Sequence, residues 1–168
     1  MRSRLRRWLK DLVVLILIAI ALMWGMDQLR KPDLPGDLSG IALQTLDGER
    51  HSLAEMSEEQ PVLLYVWATW CGVCRYTTPA VEQLSQEGAK VLSVALRSGD
   101  DRQLAQWMAK KHLTMPVVND PRGEISTRWQ VSVTPTLVVI SRGRVVNITT
   151  GWTSGWGMRA RLWWAGFQ

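Results

Sequence analysis

The sequence contains few of the residues that build metal sites and disulfide frameworks. Among 168 residues there are two cysteines and two histidines. Two cysteines allow one disulfide bridge at most, which excludes a disulfide-rich scaffold. A structural zinc site needs four ligands, and His51 and His112 do not stand at a ligand spacing. We therefore predict no structural metal site.

The folded part of the chain also lacks an excess of charge. The formal net charge is +5, and residues 1–31 account for all of it, because residues 32–168 carry 13 basic and 13 acidic groups. A body that binds phosphate backbones needs its own surplus of Lys and Arg. We therefore predict no nucleic-acid partner. The sequence also contains no phosphate-binding glycine loop and no Ser–His–Asp arrangement.

An apolar segment stands near the N-terminus, where residues Leu12 to Met26 form an uncharged run of 15. As a helix this run would span about 22 Å, which is less than the hydrocarbon core of about 30 Å. Lys10 can extend it by snorkelling, and Trp8 and Trp24 suit the two membrane interfaces. We predict that residues 1–31 form a basic cytoplasmic tail and a transmembrane anchor.

A cleaved signal peptide is the alternative for this segment, because Ala19-Ile20-Ala21 has the small-x-small form of a cleavage site. The triplet lies inside the apolar run, which favours the anchor. Five basic residues precede the run and two follow it. The positive-inside rule then leaves the N-terminus in the cytoplasm and the body in the bacterial periplasm, where disulfides persist.

Residues 32–40 contain two prolines and are predicted to be a short linker before one domain, residues 41–168. Strand and helix patterns alternate along the domain, which predicts an α/β fold with helices on both faces of a sheet. We expect a two-residue hairpin turn at Asp47-Gly48 and a last helix whose tryptophans pack onto the sheet. The predicted strands are Ile41–Leu46, Glu49–Leu53, Pro61–Trp67, Val91–Leu96, Thr136–Ile140 and Arg144–Thr149, and the predicted helices are Pro79–Gln86, Asp100–Lys111 and Ser154–Trp164.

The two cysteines form the motif Trp70-Cys71-Gly72-Val73-Cys74, directly after the predicted central strand. This position places Cys71 at the positive end of a helix, beside unpaired backbone N–H groups. Both effects favour the thiolate, so we expect the pKa of Cys71 to lie below that of a free cysteine. The thiolate is the attacking species in disulfide exchange. Cys74, one turn into the helix, is placed to resolve a mixed disulfide, and Trp70 is predicted to form an apolar rim.

Two other uses of this pair remain open from the residues. Two soft thiolates suit Cu(I), so a copper-binding module is an alternative. A purely structural disulfide is disfavoured, since a ring of four residues restricts the unfolded chain little.

A second candidate element stands 61 residues after Cys74, where Val133-Thr134-Pro135-Thr136 precedes a strand. Pro135 could simply begin that strand. With the dithiol upstream we expect a cis bond, which would leave the Thr134 backbone free to pair with an extended substrate beside Cys71.

From about Ile41 to Trp164 the sequence resembles membrane-anchored, periplasmic thioredoxin-fold proteins of the TlpA/ResA type. The motifs that carry the resemblance are Asp47-Gly48, Val66-Trp67-Ala68-Thr69-Trp70 before the dithiol, Pro79 and Thr134-Pro135-Thr136. Within this type it most resembles the thioredoxin-like protein of the suppressor-of-copper-sensitivity cluster (ScsD-like). The resemblance implies a thioredoxin fold in which Cys71 is the nucleophile, Cys74 the resolving thiol and Pro135 the cis-proline.

The resemblance also implies an activity and partners. The expected protein is a protein-disulfide oxidoreductase with a redox-active disulfide and no bound cofactor. We expect it to act as a reductant in the periplasm; the alternative is an oxidant, since the direction depends on how far the reduced Cys71 thiolate is stabilised. Its partners would be protein thiol and disulfide clients and a transmembrane electron donor. A role in copper tolerance follows from the ScsD-like comparison.

Two residues depart from the pattern of these proteins. Thioredoxins carry a buried aspartate where this chain has Tyr65, and many TlpA/ResA-type reductases carry a glutamate where it has Thr77. Both acids are associated with proton transfer at the resolving thiol. Glu82 is a candidate substitute, because its helix position directs it towards the same region.

Overall fold

A computed structural model describes residues 8, 10–18, 21–22, 34 and 41–167. The chain divides into two units, residues 1–31 and residues 32–168. Residues 10–18 are helical. No helix among the described residues has the length and apolarity of a membrane span. Much of the predicted anchor, including Trp24, and most of the predicted linker lie outside the described residues.

The second unit contains seven strands and five helices among its described residues. Their bounds are β1 Ala42–Gln44, β2 Arg50–Ser52, α1 Leu53–Met56, β3 Val62–Trp67, α2 Cys74–Gln86, β4 Lys90–Leu96, α3 Asp101–Lys110, β5 Val117–Asp120, α4 Glu124–Arg128, β6 Thr136–Ser141, β7 Arg144–Thr150 and α5 Gly155–Ala165.

Five strands form a mixed sheet in the order β5-β4-β3-β6-β7. Strands β3, β4 and β5 run parallel, while β6 pairs antiparallel with both β3 and β7. Strands β1 and β2 form a separate antiparallel hairpin. The predicted thioredoxin fold, with a mixed sheet and an N-terminal hairpin, is confirmed.

Strand β3 is buried along its whole length, as its continuous apolar sequence predicts. Leu63, Tyr65 and Trp67 pack into a core shared with helices α2, α3 and α5. The alternate residues of the strand point to the opposite face, where a second core includes Leu53 of α1 and Trp129 at the end of α4. The period-two alternation of side chains therefore places helices on both faces of the sheet.

Strand β5 and helix α4 are absent from the sequence-based prediction. Their runs are short, at four and five residues, so neither repeats its period often enough to be recognised. Asp120 connects them, because its buried carboxylate accepts the backbone N–H groups of Ile125 at 3.2 Å and Ser126 at 2.9 Å. The carboxylate thus satisfies unpaired donors at the first turn of α4.

The hairpin loop is also longer than predicted. Gln44 pairs with Arg50, so five residues connect β1 and β2 where a two-residue turn at Asp47-Gly48 was expected. The Thr45 hydroxyl donates to the Asp47 carboxylate, and the Thr45 backbone N–H donates to the Glu49 carbonyl at 2.9 Å. These bonds close the loop around Asp47.

The tryptophans of helix α5 do not pack onto the sheet, so that prediction is wrong. The helix packs through Met158 and Ala165, which are buried. Trp156 is 82% exposed, and Trp163 and Trp164 are exposed as well. Met158 and Ala165 thus face the core, while Trp156, Trp163 and Trp164 face outward.

Candidate active site

The dithiol lies at the junction between β3 and α2. Strand β3 ends at Trp67, and α2 begins at Cys74. Cys71 lies in the turn between them, where its N–H donates to the Ala68 carbonyl at 3.2 Å. The two cysteines form a disulfide. Cys74 is the first residue of the helix, so its expected place one turn further in is wrong.

The two sulfur atoms differ in access and in hydrogen bonding. Cys71 is 8% exposed and Cys74 is 2% exposed. The backbone N–H of Cys74 donates to Cys71 Sγ at 3.1 Å. A donor in this place stabilises negative charge on Cys71 when the disulfide opens. Gly72 and Val73, the spacer between the cysteines, are exposed to solvent.

Trp70 forms an exposed rim beside the disulfide, with 62% of its surface accessible. Its indole N–H donates to the Arg97 carbonyl at 3.1 Å, which fixes the ring against the loop after β4. The backbone N–H of Thr69 donates to the Ser98 hydroxyl in the same loop at 3.0 Å. Sequence reasoning missed Arg97 and Ser98, because nothing in their local pattern connects them with a motif almost 30 residues earlier.

The segment Thr134-Pro135 lies against the disulfide, although Thr134 stands 63 residues after Cys71 in the sequence. The peptide bond between the two residues is cis. The Thr134 carbonyl oxygen lies 3.5 Å from Cys71 Sγ, and the Pro135 carbonyl accepts the Gly151 N–H at 2.8 Å. Thr134 is half-buried and Pro135 is buried. The structure therefore brings together the two sequence elements that were singled out as candidate site elements.

Tyr65 is a neutral residue at the position where thioredoxins carry a buried aspartate. Its hydroxyl lies 2.8 Å from the Thr78 hydroxyl, one helical turn after Cys74. Burial raises the pKa of Tyr65 well above its ordinary value, more than the Thr78 hydrogen bond lowers it. Tyr65 consequently stays protonated. Thr77, the second departure, is fully buried, and its hydroxyl donates to the Val73 carbonyl at 3.4 Å.

Glu82 is the acid nearest in sequence to this region, and its oxygen atoms are fully engaged. One oxygen accepts from the Gln86 amide at 2.9 Å and from both the N–H and the hydroxyl of Thr114. The other accepts the Met115 N–H at 3.0 Å. Glu82 therefore fastens helix α2 to the segment that leads into β5.

These contacts decide the charge of Glu82. Burial raises the pKa of Glu82, but the hydrogen bonds from Thr114, Met115 and Gln86 outweigh burial and hold its pKa below the ordinary value. A carboxylate held ionised in this way takes up a proton poorly. The suggestion that Glu82 substitutes for the missing proton-transfer acid is therefore disfavoured, and its role is to tie two segments together.

A cavity of about 500 Å³ opens beside the disulfide. Both cysteines line it, together with a face of α2 that includes Arg75 and Gln86. Trp107 and the residues that follow α3 form the opposite wall. Trp107 also packs against buried Trp67, with ring centroids 5.2 Å apart and the rings tilted by 38°, so the wall rests on the core.

No cluster of three or more His, Cys, Asp or Glu side chains that could hold a metal ion occurs among the residues that the structure describes. The reactive groups at this site are the two sulfur atoms. Their chemistry is the breaking and making of an S–S bond, which needs no bound cofactor.

A family match and a similar curated protein identify the family of the chain. Residues 37–148 match the AhpC/TSA family. A thioredoxin-like protein of Haemophilus influenzae is 43% identical over 164 residues, which cover 98% of each chain. The chain belongs to the AhpC/TSA family.

Other members of this thioredoxin-like group are more distant. The thiol:disulfide interchange protein DsbE of Escherichia coli is 34% identical over 109 residues, 58% of each chain. The crystal structure of StoA from Bacillus subtilis shares the fold, with a TM-score of 0.65 at 20% identity over 75% of this chain and 98% of that one. The chain is thus a thioredoxin-like thiol–disulfide oxidoreductase close to the DsbE and ResA types, and the expectation of a protein-disulfide oxidoreductase is confirmed.

The contacts of Glu82 predict a pH-dependent contribution to stability. Because the folded-state pKa lies below the ordinary value of 4.5, the contribution is present above pH 4.5 and is lost as the pH falls through the folded-state value. Replacing Glu82 with Gln should lower the free energy of unfolding by about 1–3 kcal/mol at neutral pH. Urea unfolding of residues 32–168 should show this difference shrinking in acid.

Glu59 provides the control, because it is exposed on the surface. Glu59→Gln should leave the urea midpoint unchanged at both pH values. A Glu82→Gln defect that stays equally large in acid would show that the charge on Glu82 is not its source.

Proposed function

We propose that the chain is a membrane-tethered, periplasm-facing oxidoreductase that reduces protein disulfides through Cys71 and Cys74. The observation that carries this proposal is the asymmetry of the pair. Cys71 is the more exposed residue of the pair, at 8% against 2% for Cys74, and its sulfur receives the Cys74 N–H and lies 3.5 Å from the Thr134 carbonyl. Cys74 lies deeper, at the start of α2. This is the arrangement that attack by one thiol and resolution by the other requires.

The proposed reaction transfers two electrons from the chain to the client. The Cys71 thiolate attacks one sulfur of the client disulfide, forming a Cys71–client S–S bond and releasing the other client sulfur as a thiolate. Cys74 loses its proton to solvent and attacks Cys71 Sγ. The mixed disulfide breaks, the second client thiolate leaves, and the Cys71–Cys74 bond forms. The client thiolates take up protons from water.

Substrate positioning is assigned to Trp70, Thr134 and Pro135. Trp70 supplies an exposed apolar surface at the edge of the disulfide. The Thr134 backbone lies next to Cys71 and is half-buried, so an extended client segment can lie along it. Turnover then needs a donor dithiol, which we assign to a transmembrane thiol carrier because a tethered enzyme meets its donors at the membrane.

The membrane tether is supported by the described part of the N-terminal helix. Leu12, Leu15 and Ile18 are each about half-exposed or more, and so are the four apolar residues between them. A helix that is apolar on all sides is typical of a membrane segment. The excess of basic residues before the run places the body in the periplasm.

Copper tolerance is the proposed setting for this activity, on the ScsD-like resemblance. Copper promotes incorrect thiol oxidation, and a periplasmic reductant would reverse it. The second candidate function is Cu(I) binding or delivery by the same cysteines, favoured by the convergence of two soft sulfur atoms at one accessible site.

Substitution of the cysteines tests the reaction. Cys74→Ala should trap clients as mixed disulfides with Cys71, because nothing resolves the intermediate. Non-reducing gels of cells that express the variant should show covalent complexes that disappear with reductant.

Cys71→Ser is the matched variant, and it should trap nothing and reduce disulfide exchange to the uncatalysed rate. Trapping through Cys74 in the Cys71→Ser chain would reverse the assigned roles.

Membrane topology has its own test. In spheroplasts, added protease should digest the body while a cytoplasmic marker stays intact. Protection of the body until the membrane is lysed would contradict the proposed orientation.

An anaerobic titration separates the two candidate functions. The reduced chain should lose Cu(I) to a competing chelator while it still exchanges disulfides. Retention of Cu(I) against the chelator, together with weak exchange activity, would favour the copper module.

A further inference from the structure

The cavity beside the disulfide has the dimensions of a peptide groove. Along α2 its wall extends from Cys74 to Gln86, a distance of about 18 Å at 1.5 Å per residue. An extended chain advances about 3.3 Å per residue, so roughly five residues fit this length. The cysteines lie at one end of the wall. A segment in the groove would therefore be continuous with a cysteine held at Cys71.

The exposed charges on the groove are positive. Arg75 lies next to Cys74 on α2, and Lys111 follows α3 on the opposite wall. Both side chains are exposed. His112, also exposed, lies beside Lys111 on the same wall. These groups stand on both sides of the opening.

One carboxylate, Glu82, also lines the groove and offsets one of these charges. Glu82 is buried, and both its oxygen atoms accept hydrogen bonds from Thr114, Met115 and Gln86. The charged residues that line the groove keep an excess of one positive charge, and the two cations are exposed while the carboxylate is buried. Trp107 adds apolar surface to the same wall.

We propose that the groove between α2 and the end of α3 binds an extended acidic segment that flanks the disulfide of a client protein. The inference rests on the proposed function, since it assigns a specificity to the same dithiol. Arg75 and Lys111 attract the acidic side chains from the two walls, and Trp107 covers the apolar part of the segment. The chemistry is the thiol–disulfide exchange described above, with two electrons passing to the client.

The test compares two short synthetic peptides, each with one cysteine in a mixed disulfide with 2-mercaptoethanol. Three glutamates flank the cysteine of one peptide, and three lysines flank that of the other. The reduced full-length chain in detergent supplies both electrons, so no other reductant is present. We expect the second-order rate constant for reduction of the acidic peptide to exceed that for the basic one by about tenfold at low salt. High salt should reduce the ratio, because the charges are exposed.

Charge reversal assigns the effect to the groove. The double variant Arg75→Glu, Lys111→Glu should abolish or invert the preference. The double variant Arg102→Glu, Lys110→Glu changes the net charge equally at exposed positions that do not line the groove, and it should keep the preference. Using the ratio of the two peptides cancels any change in the intrinsic reactivity of Cys71.

Bis(2-hydroxyethyl) disulfide, which is small and uncharged, separates failure of this inference from failure of the proposed function. If the wild-type chain does not reduce it, the proposed function fails. If the chain reduces it but shows no preference between the peptides, prefers the basic one, or loses the preference equally in both double variants, the acidic-segment groove is overturned.

Discussion

The end of strand β3 is the constraint from which the rest of the site follows. The strand is buried on both faces, and the chain leaves the core at the strand's carboxyl end. Helix α2 begins shortly after this point and covers the core. The turn between β3 and α2 places Cys71 at the edge of the core, 8% exposed, and the Cys74 N–H against its sulfur at 3.1 Å. Strand β6, the antiparallel neighbour of β3, begins directly after Pro135. The sheet register thus brings Thr134 to the same sulfur.

The interior behind the dithiol is neutral where thioredoxins are acidic. Tyr65 and Thr78 share a hydrogen bond in that region, while the carboxylate of Glu82, which lines the cavity, is occupied in joining α2 to Thr114 and Met115. Proton removal from Cys74 is therefore assigned to solvent, which reaches the pair through the adjoining cavity. The same cavity, with its exposed Arg75, gives the protein a surface that can distinguish clients by charge.

Sequence patterns predicted the parts of this molecule that have strong local signals. The apolar run of β3, the CxxC spacing and the proline before β6 each have a physical reason that is visible in the sequence. The short β5 and α4 were missed because a four-residue strand carries almost no periodicity, and Asp120 organises them through contacts that only the fold creates. Trp107 lies within the predicted helix Asp100–Lys111, but its contact with Trp67 and its place on the cavity wall depend on tertiary packing. The exposed Trp156 shows the opposite failure, since an apolar residue was assumed to be core.

The reduction potential of residues 32–168 tests the central claim, that the chain donates electrons to clients. It can be measured by equilibrating the Cys71–Cys74 pair with glutathione buffers of graded composition and following the fraction oxidised. The account predicts a value near that of thioredoxin, about −270 mV, which a membrane donor would have to maintain. A value near that of the strong oxidant DsbA, about −120 mV, would contradict the account and assign the chain to disulfide formation.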